Sequence, residues 1–112
     1  MAIVSDFAAQ WAAGDAGALA AWLAEDAVWT LVGDQTHHGS DAAERARAPL
    51  APQRLEIRSV ITHGRFASCD GRLTDGARSI EFSHVMRFTG AGKTAKIAEI
   101  RSYCIESAEH TA

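Results

Sequence analysis

The chain has 112 residues, enough for one domain with one hydrophobic core that needs neither disulfide nor metal for stability. Hydrophobic residues make up 47% and charged residues 22%, which are globular values and argue against disorder. Its formal net charge is −3, from 11 basic and 14 acidic residues. This balance disfavours nucleic acid and anionic membranes as partners, because phosphate binding is supported by excess Lys and Arg.

Two further features bear on the compartment. No apolar run approaches the roughly 20 residues of a membrane span, and the first residues lack the basic-then-apolar order of a signal peptide. Cys69 and Cys104 stand far apart without a CxxC spacing, which argues against a disulfide scaffold, so we expect both thiols to be free. The sequence therefore predicts a single cytoplasmic domain over residues 1–112.

Two short helices are predicted at the start of the chain. The first has an apolar face that includes Phe7 and Trp11 at helical spacing, and it ends at Gly14. Asp15 can cap the second helix, which the acidic pair at residues 25–26 closes.

A strand and a third helix follow. Residues 28–32 are mostly β-branched, aromatic or aliphatic, which predicts a short buried strand. The third helix begins after a cap at Ser40 or Asp41 and is terminated by Pro49 and Pro52.

The rest of the chain predicts strands. Apolar and polar residues alternate over residues 54–58 and 80–88, and residues 97–105 form a further long β run. Turns are predicted at residues 64–65, 70–71, 75–76 and 90–92. Helices followed by neighbouring strands are typical of an α+β domain, in which a curved antiparallel sheet covers the helices and leaves a conical space for a ligand.

Four short strings occur in an order and spacing that resemble a known family. They are FAAQWAAGD at residues 7–15, AEDAVW at 24–29, MRF at 86–88 with GK at 92–93, and KIAEIRSY at 96–103. Together they resemble the nuclear transport factor two-like superfamily, which includes ketosteroid isomerases, limonene epoxide hydrolase and SnoaL-like polyketide cyclases. The resemblance implies a cone-shaped, curved, mostly antiparallel sheet wrapped around three N-terminal helices, the cystatin-like roll.

The resemblance does not carry a known mechanism to this chain. In the isomerases a tyrosine and a protonated aspartic acid hold an oxyanion, while a second aspartate shuttles the proton. The tyrosine position holds Phe7, and the late-strand acid position holds His84. The first-strand acid aligns with Leu31 or Thr30, depending on which neighbouring residues anchor the alignment. The last acid of the epoxide hydrolases aligns with Ser102, so each mechanism lacks an acid that it requires.

His84 is the candidate catalytic residue. It interrupts an apolar strand face that lines the cone in the family, so its ring should point inward. As a core residue it would bond a backbone carbonyl or Ser102, and as a functional residue it would contact the ligand as an acid or base. In an apolar cone we expect desolvation to lower its pKa.

Other inward-facing residues are candidates for the pocket wall. Aromatic side chains in a cone both support the sheet and shape an apolar cavity. Small residues on the last strand indicate open volume beside His84, although the alternative for Cys104 is a small buried hydrophobe. The predicted ligand-pocket residues are Phe7, Trp11, Trp29, Leu31, Met86, Ile100, Ser102 and Cys104.

Neither a metal nor a cofactor is predicted. The histidines lack HxH and HxxxH spacings, and the chain has no P-loop, GxGxxG or GxSxG motif. His37 and His38 are placed in the loop before the third helix, where the sequence leaves open whether they reach the pocket mouth. Asp70 is interpreted as a turn carboxylate because Gly71 follows it.

Two functions are compatible with these features. The first is a domain that binds a small lipophilic molecule, with isomerase, cyclase or hydrolase activity centred on His84. The alternative is a non-catalytic binding or assembly module, in which the protein's own side chains fill the cone. An enclosed pocket that reaches His84 would favour the first function, and a packed core would favour the second.

For both functions we expect a homodimer through the convex face of the sheet. This face is predicted to carry too many large apolar residues to be stable in contact with water. They are Val85, Ile97, Tyr103 and Ile105.

Overall fold

The computed structural model describes residues 2–49, 54–92 and 94–106. Helices α1, α2 and α3 span Ala2–Ala13, Ala16–Trp22 and Ala42–Arg45, and a 3-10 turn at Gly39–Asp41 precedes α3. Strands β1 to β6 span Leu23–Leu31, Thr36–His38, Arg54–His63, Phe66–Asp75, Arg78–Phe88 and Ile97–Glu106.

The six strands form one curved, mixed sheet in the order β2-β1-β6-β5-β4-β3, which does not close into a barrel. β1 and β6 are parallel, and all other neighbouring strands are antiparallel. Gly64 and Gly76 form the turns of the two long hairpins with φ values of 62° and 59°, in the left-handed region that favours glycine. The predicted α+β class, with N-terminal helices against a mostly antiparallel curved sheet, is confirmed.

The first two helices form where the apolar spacing and the capping residues predict them. Phe7 and Trp11 lie on the buried face of α1, and Gly14 follows the helix with a φ of 73°. The Asp15 side chain accepts a hydrogen bond from the Ala18 backbone N–H at 3.1 Å, which satisfies one of the unpaired donors at the start of α2.

The second helix is shorter than predicted. It ends at Trp22, and the acidic pair at residues 25–26 lies within β1. Leu23 adopts an extended backbone and pairs with Ile97 of β6. The residues from Leu23 onward therefore belong to the sheet and not to the helix. Local acidic charge was therefore the wrong indicator of the helix end.

The segment around the third helix also differs from the prediction. His37 and His38 lie in the short strand β2, which pairs with β1, and not in a loop. The helix has a single turn that is buried through Ala42 and Ala43. Pro52, predicted to terminate the helix, and Lys93 of the GK string lie outside the described residues.

The Asp70-Gly71 pair is not a turn but lies inside β4. β3 contains a bulge, so that Ile57 pairs with Gly71 and Ser59 with Asp70. The β3 backbone passes so close that a Cβ atom at position 71 would lie 2.0 Å from the Glu56 carbonyl oxygen. Glycine is therefore needed here for the close approach of two strands.

We expect Gly71→Ala to lower the free energy of unfolding by about 2 kcal/mol, because the new methyl group must displace backbone atoms. Gly17→Ala in α2 is the matched control, since a Cβ there meets only Asp15 Oδ1 at 3.8 Å. Alanine should stabilise that helix by up to about 1 kcal/mol. Urea unfolding of both variants measures the effects, and a Gly71→Ala variant as stable as the wild type would contradict the close approach.

The core lies between the helices and the concave face of the sheet. Ile97, predicted on the convex face, is instead completely buried in this core. A register shift pairs Phe88 with Ile97 but Arg87 with Glu99, so β6 carries one extra residue at its start. The bulge shifts the alternation of side chains by one residue. The prediction placed Ile97 on the convex face because it extended the alternation of the later β6 residues through this point, and it was therefore wrong.

Candidate functional site

His84 lies in the middle of β5, between Cys69 of β4 and Ser102 of β6. Its side chain is completely buried, at 0% exposure. The alternation of β5 turns Phe82 and Met86 to the same concave face. His84, which aligns with a functional acid in the family that the sequence resembles, therefore lies at the centre of the core.

Aromatic rings surround the imidazole. Phe7 and Trp11 of α1 meet it in T-shaped arrangements, with ring centroids 5.5 Å and 4.3 Å away. Phe82 lies beside it at 5.3 Å. None of these three rings is more than 3% exposed, so the surroundings of His84 are apolar and closed to water.

A chain of hydrogen bonds ties the imidazole to the last and first strands. Trp29 Nε1 donates to Ser102 Oγ at 2.8 Å, and Ser102 Oγ lies 2.7 Å from His84 Nδ1. Since Nδ1 is the only acceptor near the hydroxyl among the described residues, we assign the hydroxyl proton to the bond with Nδ1. The neutral imidazole then carries its own proton on Nε2.

The environment opposes a charge on His84. Desolvation by burial lowers its pKa from an ordinary value of 6.5 to about 3. Nε2 has no hydrogen-bond partner among the described residues, so nothing there offsets the loss of water. The direction is the one expected from an apolar cone, and the ring is neutral at physiological pH.

This arrangement restricts the chemistry that the Ser102-His84 pair can perform. A general base is most effective when its pKa lies near the working pH, and that of His84 lies far below it. A serine nucleophile also requires a base that a third group orients and stabilises once protonated. His84 Nε2 has no such group among the described residues, so the geometry holds Ser102 in place without activating it.

A pocket of about 350 Å³ has Ser102 in its lining. We call it the β1–β6 pocket, because its wall comes from β6 and from residues 31–32 at the end of β1, and its rim from Asp34 and from residues at and after the end of α3. Its lining residues are Leu31, Val32, Asp34, Arg45, Arg47, Pro49, Ser102 and Cys104. Ser102 is only 2% exposed yet belongs to this lining, whereas His84 does not. The pocket therefore reaches the hydrogen-bond partner of His84 and stops there.

The predicted pocket residues separate into two groups. Leu31, Ser102 and Cys104 line the β1–β6 pocket. The other members are at most 1% exposed and fill the cone around His84; they are Phe7, Trp11, Trp29, Met86 and Ile100.

Cys104 is not the small buried hydrophobe of its alternative interpretation. The residue is exposed at the pocket, beyond the part of β6 that the core covers. Partial desolvation raises the pKa of its thiol to about 11, so the thiol is uncharged at neutral pH. Cys69 is buried and both cysteines are free thiols.

Asp34, Arg45 and Arg47 are pocket residues that sequence reasoning missed. Both arginines are exposed and lie at or just after the single turn of α3. Exposed charges on a short helix ordinarily indicate a solvated face, so nothing in the local pattern distinguishes these residues. Only their position across from β6 makes them part of a site.

His37 and His38 are absent from the lining of the β1–β6 pocket and pair with Trp29 and Val28 across β2 and β1. In the part of the chain that the structure describes, no group of three or more His, Cys, Asp and Glu side chains is placed to hold a metal ion. None of the helices within those residues has the length and apolar character to cross a membrane.

Several solved structures share this fold. An NTF-2 like protein of unknown function from Burkholderia xenovorans LB400 has a TM-score of 0.71 at 19% identity, over 92% of this chain and 80% of that chain. A hypothetical protein with a ketosteroid isomerase-like fold from Catenulispora acidiphila DSM 44928, in complex with trimethylamine, has a TM-score of 0.70 at 18% identity, covering 90% and 83%. SalBIII, an epoxide hydrolase/cyclase-like enzyme with a role in pyran ring formation in the polyether salinomycin, has a TM-score of 0.63 at 16% identity. The match covers 92% of this chain and 88% of that chain.

At these identities the structural similarity establishes the fold alone. No functionally curated protein is significantly similar to the sequence. The profile of the SnoaL-like domain matches residues 4–100, which is most of the chain. The agreement of this match with the cone-shaped fold shows that the chain belongs to the family of SnoaL-like domains.

Proposed function

We propose that this SnoaL-like domain binds a small molecule with both an apolar and a polar part in the β1–β6 pocket. The observation that carries the proposal is the placement of Ser102, whose hydroxyl is held by Trp29 and His84 and which lies in the lining of the pocket beside Leu31. Ligand pockets combine apolar walls with a few fixed polar groups, and they usually measure roughly 300–1,000 Å³. The β1–β6 pocket, at about 350 Å³, suits a small ligand.

In this proposal His84 is a positioning residue. It accepts the Ser102 proton and, with the Trp29 indole, determines the direction of the remaining lone pair on Ser102 Oγ. A ligand hydroxyl or N–H group can donate to that lone pair. Isomerase, cyclase or hydrolase chemistry centred on His84 is less favoured, because the ring is surrounded by core side chains and has a low pKa.

The test uses 3-phenylpropanamide, a neutral probe with an apolar body and an amide group. We expect its titration to shift the backbone amide resonances of Leu31, Ser102 and Cys104. Cys104→Trp should weaken binding by at least about tenfold, because the indole fills much of the small pocket.

Tyr103→Trp is the matched control, since it adds the same side chain to the convex face of the same strand. It should leave the affinity for the amide unchanged. Equal binding by the wild type and Cys104→Trp, or shifts confined to other parts of the chain, would contradict the proposed pocket.

We further propose that two copies of the domain associate through the convex face of the sheet. Apolar side chains of β3 to β6 are exposed there, and a patch of this kind marks an interaction surface. They are Ile61, Phe66, Val85, Tyr103 and Ile105, with exposures of 38% to 70%. Sedimentation should show a dimer at micromolar concentration and a monomer for Tyr103→Arg, and a monomeric wild type would contradict the interface.

A cytoplasmic location, the lack of a cofactor and the exclusion of nucleic-acid and membrane partners stay predictions from composition and motifs. The same holds for a non-catalytic assembly role, which the filled cone around His84 favours over catalysis at that residue. Dimer formation without any probe binding would favour this alternative.

A further inference from the structure

We infer that the β1–β6 pocket prefers a ligand that carries a carboxylate over a neutral ligand of the same shape. This inference rests on the proposed function, because it names the chemical class of molecule that the same pocket takes. It is carried by a contrast between the arginines of the sheet and those of the pocket rim.

Five of the six arginines in the strands are neutralised by glutamates, and Arg54 at the start of β3 makes no such contact among the described residues. Each of the five contacts one of three glutamates: Arg58 and Arg72 contact Glu81, Arg78 contacts Glu106, and Arg87 and Arg101 contact Glu99, over N–O distances of 2.7 to 3.6 Å. These positive charges are already compensated within the protein, so they offer little attraction to a further anion.

The two arginines of the pocket rim are different. Among the residues that the structure describes, neither Arg45 nor Arg47 lies within salt-bridge distance of a carboxylate. The Nε group of Arg47 donates to the Glu44 carbonyl oxygen at 2.8 Å, which anchors the base of the guanidinium. Its terminal nitrogens make no hydrogen bond within the described residues, so they are available to an acceptor in the pocket.

The charge balance of the pocket favours an anion. Asp34 is its one acidic lining residue, against Arg45 and Arg47. The rim therefore carries a local positive excess on a chain with a net charge of −3. A guanidinium binds a carboxylate through parallel hydrogen bonds, which an ammonium cannot match in geometry.

The position of the apolar wall decides how such a ligand would lie. Leu31, the last residue of β1, and Val32 directly after it line the pocket, together with Ser102 of β6. An apolar body can pack on this wall while the carboxylate remains at the rim with the two guanidinium groups. The ligand class is therefore a small carboxylic acid with an apolar body.

The experiment compares 3-phenylpropionate with 3-phenylpropanamide, which have nearly the same shape and differ in charge. We expect the carboxylate to bind the wild type about tenfold more tightly at low ionic strength. Arg45→Gln and Arg47→Gln should each weaken carboxylate binding by about fivefold, and each should weaken it more than it weakens amide binding. Calorimetry and the amide resonances of the pocket residues measure both affinities.

Arg65→Gln is the matched control, because it removes the same charge from an exposed turn that does not line the pocket. Equal affinities for the two probes, or the same loss in Arg65→Gln as in the rim variants, would overturn the carboxylate preference while the proposed pocket stands. If neither probe shifts the resonances of Leu31, Ser102 and Cys104, both the preference and the proposed function are wrong.

Discussion

Replacement of Trp29 by alanine is expected to lower the free energy of unfolding by about 4 kcal/mol, within the range for a buried aromatic residue. The side chain is completely buried, and its loss removes apolar contacts and leaves a cavity beside Phe7, whose ring centroid lies 5.5 Å away. It also removes the N–H donor to Ser102 Oγ. Urea unfolding measures the change.

Trp22→Ala provides the comparison for this substitution. Trp22 is half-buried, and its Nε1 donates to Gln10 Oε1 at 2.7 Å, so the same atoms are removed from a wetter site. We expect it to cost about half as much as Trp29→Ala. If the two variants lost the same stability, Trp29 would not be the central support of the cone.

Acid is expected to destabilise the protein through His84. The unfolded chain takes up a proton on this residue near the ordinary pKa of 6.5, whereas the folded protein does so only near a pKa of about 3. Between these values the unfolded state binds one more proton, so stability falls as the pH falls, by up to about 1.4 kcal/mol per pH unit. The loss between pH 6 and pH 4 should be roughly 2.5 kcal/mol from this residue alone.

His84→Gln should flatten this dependence, because glutamine can bond to Ser102 but cannot titrate. Cys69, which pairs with His84 across the sheet, does not contribute to this dependence, because a thiol is protonated in acid and burial raises the pKa of this one further, to about 11. His63→Gln is the control, because His63 is exposed. This variant should show the same dependence of stability on pH as the wild type. Equal slopes in the wild type and His84→Gln would contradict a buried neutral imidazole.

Local sequence was sufficient for the elements whose side-chain period is uninterrupted. The apolar face with Phe7 and Trp11 predicted α1, and the alternation through His84 predicted which face of β5 is buried. The order of helices and strands then indicated the α+β class, because few layer arrangements bury these faces. Ser102 was already a candidate partner of His84, and the structure places the two in hydrogen-bond contact.

Bulges could not be predicted in the same way. Whether Gly71 belongs to a turn or to a strand, and whether Ile97 points inward, depends on the strand paired with each. An extra residue in one strand reverses the alternation beyond it, and the sequence of that strand contains no separate sign of it. These two positions were therefore decided by how consecutive strands pair with each other, and not by the residues of either strand alone.

The sequence by itself determined the fold class, the inward face of β5 and the apolar nature of the surroundings of His84. Tertiary structure alone decided that Trp29 and Met86 fill the cone, that open volume begins at Ser102, and that Arg45 and Arg47 lie at its rim. The physical reason is that periodicity specifies which side of an element a residue faces. Whether an inward residue packs against another side chain or borders empty space depends on the distance between elements, which is set by all the contacts of the core together.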